Sequence, residues 1–209
     1  MPEPFVVAFV VGVTPAKWAR VWGERMPRHP LTLLAVTDAL AALEDRTAQV
    51  ALTRLPVDTE RYSAIPLYTE QPVVVAPKGH AIEALDALAL ADLAGETVLE
   101  GEWGPTVELV AANVGVTVLP QSVARALSRR DIVARPVTDA PTTRVALVWP
   151  IDASSELIDE FIGIVRGRTA NSSRGQAGAP TPAQKPAQKT GQKRPPKPTR
   201  AAQPRSRRR

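Results

Sequence analysis

The chain has 209 residues, 44% of them apolar, and no cysteine, which excludes disulfides and thiolate metal sites while allowing one substantial core or two small lobes. Its net charge of +5 hides two materials. Eleven of the 26 basic residues and none of the 21 acids lie after residue 169, so the first four-fifths carries about −6 and the remainder +11.

Residues 5–11, FVVAFVV, form an apolar run with four valines, as expected of a parallel strand covered on both faces. Gly12 supplies a turn. Thr14 is then placed to cap a helix with its hydroxyl, Pro15 suits a first helical position, and Trp18, Val21 and Trp22 share one face. The segment MPEPFVVAFVVGV has no basic residue ahead of its short apolar stretch, so neither a signal peptide nor a membrane span is expected. The cytoplasm is the expected compartment.

Residues 31–37, LTLLAVT, read as a second buried strand, with Thr37 and Asp38 capping a short helix that runs to Glu44. Residues 49–55, QVALTRL, read as a third strand. This alternation predicts a parallel sheet with right-handed crossovers. In residues 65–76, IPLYTEQPVVVA, two extended pieces meet at a Gln-Pro step, and Pro66 and Pro72 restrict which strands can be central.

A second lobe follows. It opens with a loop PKGHAI, a short helix LADLAG and a strand ETVLE at residues 96–100. EGEWGP reads as a turn, residues 107–114 as a short helix, 116–119 as a strand, 120–127 as another short helix and 132–137 as extended chain. Residues 143–149, TRVALVW, are the returning strand. Residues 154–168 form an amphipathic helix with Leu157, Ile158, Phe161, Ile162 and Val165 inward and Glu156 near its positive end. Residues 170–209 contain no large aliphatic or aromatic side chain to offset the entropy of ordering, which predicts disorder.

The blocks GVTPAKWARVWGER, LTRLPVD, IPLYTEQPVVVAPKGH, LADLAGE, VELVAANVGVTVLPQSVAR and DEFIGIVRGRTANSSRG, in that order, resemble the effector-binding (substrate-binding) domain of LysR-type transcriptional regulators over residues 5–175. The resemblance implies an α/β, periplasmic-binding-protein type 2-like fold of two Rossmann-like lobes. Residues 1–169 are expected to form this domain, with lobe I at 1–64 and 145–169 and lobe II at 65–144, and residues 170–209 a disordered basic tail. It further implies a small-molecule effector in the cleft, homodimer pairing and a part in transcription regulation. Two departures stand out: the family's N-terminal helix-turn-helix is missing ahead of the first strand, and only EGEWGPT stands where the family places a further helix and strand. The second lobe is therefore expected to be abbreviated.

The expected ligand is a small anionic metabolite. Thr14 and Pro15 at the first strand-helix turn, Thr37 and Asp38 at the second, Arg54 at the end of the third strand, and Thr117 and Gln121 in the second lobe are the candidate ligand-binding residues. Four have a simpler reading: capping for Thr14, Thr37 and Asp38, and for Arg54 an ion pair with Asp58 or Glu60. Trp103 either closes over a ligand or plugs the shortened segment. His29 and His80 lie in turns without acid, base or metal partners nearby, no catalytic or dinucleotide motif occurs, and no cofactor, metal or enzymatic activity is expected.

The tail supports an alternative function, a nucleic-acid-associated protein. Lys193, Arg194, Lys197, Arg200, Arg205, Arg207, Arg208 and Arg209 suit phosphate contacts by counterion release, without aromatic rings for base stacking. A purely solubilising extension accounts for the same composition.

Overall fold

The computed structural model describes residues 3–168. Strands β1 (Phe5–Phe9), β2 (Leu31–Ala35), β3 (Val50–Arg54), β4 (Tyr62–Glu70) and β8 (Thr143–Pro150) form one sheet in the order β2-β1-β3-β8-β4. Helices α1 (Ala16–Arg25) and α2 (Ala39–Glu44) supply the two crossovers, and β1 runs parallel to both β2 and β3. Strand β8 returns antiparallel between β3 and β4.

The valine-rich β1 is buried on both faces as its composition predicts, whereas β2 is not. It forms the sheet edge, and its Leu33 is 37% exposed. Pro66 is accommodated because β4 is the opposite edge, and the register shifts between Pro66 and Tyr68. The core of this lobe centres on Phe5, stacked on Trp22 at 4.7 Å between ring centroids, with Phe161 of α5 (Glu156–Val165) tilted against both. Ser155 caps α5 by accepting the Ile158 N–H at 3.1 Å.

The chain leaves this sheet at Glu70 and begins a second one at Pro72. There β5 (Pro72–Pro77) lies between β6 (Thr117–Pro120) and β7 (Ile132–Pro136), antiparallel to both. All six β5 residues are buried, and their alternation divides the core. Val73 and Val75 pack with Val107 and Val110 of α3 (Trp103–Ala111) and Val123 of α4 (Gln121–Ala126); Val74 and Ala76 pack with Ile82, Leu88, Leu93 and Val116 on the other face.

Three expectations for this lobe need correction. Residues 96–100 form no strand, only a single bridge between Val98 and Val116. Gly115 presses so close that a Cβ there would lie 2.2 Å from the Thr97 carbonyl oxygen, and Gly101, at φ +138°, turns the chain away into α3 before a second rung can form. LADLAG is a single 3₁₀ turn, Leu90–Leu93. EGEWGP is not a free turn, because α3 already begins at Trp103, with Pro105 in the first turn where its missing N–H costs nothing. Trp103 is half-buried and packs against the α3–α4 core cluster.

Candidate functional site

The two sheets meet at the carboxyl ends of β1 and β3, where the β1–α1 turn approaches α4. Gly12 makes this approach feasible: at φ +87° it sits where a Cβ would lie 2.6 Å from Ser122 Oγ and 2.9 Å from the Val123 nitrogen. Beside this contact is a cleft of about 750 Å³. Its walls are mostly apolar, with Phe9, Val11, Val13, Ala35 and Val36 from the first lobe and Ala126 from the second; its polar side chains are Thr14, Thr37, Ser122 and Arg125.

Thr14 does not cap α1. Pro15 takes the capping position, buried and in helical geometry, and α1 has no side-chain cap. Thr14 lines the cleft, and its hydroxyl has no hydrogen-bond partner among the described residues. Thr37 is exposed across the same cleft, whereas Asp38 turns to its helix and accepts the N–H groups of Leu40 at 2.9 Å and Ala41 at 3.1 Å. Thr117 is buried and donates to the Leu99 carbonyl at 2.9 Å. Gln121 opens α4, its backbone N–H bonded to the Gln71 carbonyl at 2.9 Å. The cleft thus gathers Thr14 and Thr37; Pro15, Asp38, Thr117 and Gln121 do not line it.

Arg54 is committed elsewhere, and to neither Asp58 nor Glu60. Its Nε and Nη2 donate to the Glu70 carboxylate at 2.7 and 3.1 Å, the two side chains being 10% and 2% exposed. Both terminal nitrogens also reach the Val11 carbonyl at 3.1 Å, Nη2 donates to Ser122 Oγ at 3.2 Å, and the guanidinium lies 4.7 Å over the Trp103 ring. Glu70 accepts further bonds from the Ser122 hydroxyl and, at 3.0 Å, the Thr143 hydroxyl. Burial alone raises the Glu70 pKa. The hydrogen bonds from Arg54, Ser122 and Thr143, with the guanidinium charge, outweigh it and hold the carboxyl below its ordinary value. The neighbouring Tyr68 hydroxyl is pushed up by burial first and then by the Glu70 charge.

Sequence reasoning missed Ser122, Arg125 and Glu70. The first two are three residues apart in QSVAR and so share one face of α4, a pattern that was available. Glu70 had no local signal, because its partners Arg54, Ser122 and Thr143 are distant in sequence. The basic residues from Lys193 to Arg209 lie outside the described residues.

The family model for the LysR substrate binding domain matches residues 16–106 and 101–170. The chain belongs to this family. LysR substrate-binding domains are regulatory effector-binding modules of transcription regulators. The fold agrees with solved structures. An H2O2-bound OxyR mutant from Corynebacterium glutamicum is 20% identical at a TM-score of 0.63, over 79% of this chain and 67% of that one. The OxyR regulatory domain of a Pseudomonas aeruginosa mutant gives 19% and 0.62, over 79% and 97%. The BenM effector-binding domain with its effector benzoate gives 16% and 0.64, over 79% and 94%. No curated protein sequence matches the chain. Like its relatives the LysR-type domain here has two α/β sheets, and no described helix is long and apolar enough to cross a membrane.

Proposed function

We propose that this domain senses a small amphiphilic monoanion in the cleft between the β1–α1 turn and α4, and that lobe movement carries the signal to transcription in the cytoplasm. One observation carries the reading. Arg125 is the only charged side chain lining the cleft and has no partner among the described residues, while the walls around it are apolar. An apolar body would bury against Phe9, Val13 and Val36, its anionic group would pair with Arg125, and the Thr14 and Thr37 hydroxyls would supply orientation. Arg54, the cation the sequence favoured, is neutralised by Glu70 and is not the anchor in this reading.

BenM, a structural neighbour, holds benzoate, which makes monocarboxylates the natural first probes. Thermal unfolding with a panel of aryl and short aliphatic monocarboxylates, each beside its neutral amide, tests the reading. Stabilisation by at least one acid and not by its amide is expected, since a ligand that binds only the folded state raises the melting temperature. No response across the panel, or equal responses to acids and amides, would overturn it.

A further inference from the structure

Polar side chains from both lobes converge on one carboxylate at the hinge. Glu70 is the last residue of β4, separated from the second sheet by Gln71 alone, and it pairs in register with Thr143, the first residue of the returning strand β8. From this double hinge its two oxygens accept Arg54 of β3, Ser122 of α4 and Thr143 of β8, which fills the acceptor capacity of a carboxylate. Arg54 in turn spans the junction, bonded to Val11 and Glu70 on one side and touching Ser122 and Trp103 on the other. The Glu70 carboxylate is thereby fully engaged within the protein.

We propose that Glu70 is a resident carboxylate that occupies Arg54 and latches the lobes at a fixed opening before any effector arrives. The inference deepens the cleft reading by naming how that site is regulated, and its geometry stands without a ligand. The latch and the cleft share two residues, Ser122 and Val11, which line the cleft and also bond to Arg54 or Glu70. A ligand that pulls on either residue changes the latch, so its affinity differs between latched and unlatched forms, which is the requirement for a population shift.

Titration of Glu70 would release the latch, and the sign follows from its partners. Arg54 from β3, Ser122 from α4, Thr143 from β8 and Tyr68 from β4 are the polar or titratable groups facing it. The carboxyl is held below its ordinary value, so the latch is complete at neutral pH and fails as pH falls below the usual carboxylate range.

The absence of native cysteine permits two spin labels in the full chain, at the exposed positions Lys17 and Ala112 through Lys17→Cys and Ala112→Cys. Double electron–electron resonance without ligand should give a narrow distance distribution for the parent and a broader, longer one for Glu70→Gln. The parent should broaden in acid and Glu70→Gln should not. In Glu70→Ala, formate should restore the parent distribution where chloride at equal ionic strength does not, because only a carboxylate refills the Arg54 fork. A Glu70→Gln distribution identical to the parent would overturn the proposal. Should that variant fail to fold, Ser122→Ala keeps the buried pair and removes the second lobe's hydroxyl; broadening supports the latch and an unchanged distribution overturns it. Carboxylate effectors play no part in the Glu70→Gln comparison, so the latch stands or falls independently of whether the cleft binds one.

Discussion

The two lobes solve the same packing problem with unequal means. The first gathers a five-stranded sheet and three helices around one continuous core, with Phe5, Trp22 and Phe161 in mutual contact. The second has three antiparallel strands, and its central strand β5 must serve two small clusters at once. A lobe so thin has few contacts with which to hold its wall of the cleft rigid. The difference suggests why the junction carries a buried ion pair: the specific polar contacts of Arg54 and Glu70 fix an orientation that the smaller lobe's apolar packing leaves loosely specified.

The same truncation in each core probes this contrast most strongly. Leu52, fully buried in β3, and Leu119, 3% exposed in β6, differ mainly in the thickness of their surroundings. Leu52→Ala should cost about 4–5 kcal/mol and Leu119→Ala about 2–3 kcal/mol, because the thinner lobe collapses more readily into the cavity. Urea unfolding of both variants checks the order. Equal costs would mean that the second lobe is as tightly packed as the first.

A smaller effect is expected at the junction itself. Gly12→Ala forces a side chain against Ser122 and Val123 and places it at a φ of +87°, which should cost about 1–3 kcal/mol. Part of that cost should appear as lobe separation in the same spin-label measurement. If the variant loses stability while the distance stays fixed, the strain is confined to the turn and the lobes do not depend on this contact.

The first lobe was largely legible in the sequence because its signals are local. Valine-rich β1, the 3.6-residue period of α5 and the alternating crossovers all follow from neighbours along the chain. The second lobe was less so: its expected strand at residues 96–100 is a single bridge, since two glycines constrain its neighbours in ways that composition does not reveal. The cleft was half legible. Thr14 and Thr37 sit at strand ends, where an open α/β sheet presents its ligand groups, and the structure places both at the cleft. Arg54 was visible as a cation at a strand end, yet its partner was not, because Glu70 reaches it only through the pairing of β4 and β3 on either side of β8. Arg125 carries no signal of its own in the sequence: it is an exposed residue of α4 that lines the cleft only because the β1–α1 turn lies opposite it.

The most direct measurement of the central claim is a calorimetric titration of the tightest-binding monocarboxylate of the panel into the parent and into Arg125→Ala. Loss of a charge-assisted contact of roughly 1.5 kcal/mol should weaken binding by about tenfold or more in the variant, with its fold and melting temperature unchanged. Equal affinity in the two proteins would contradict the assignment of the cleft as the effector site with Arg125 as its anion anchor.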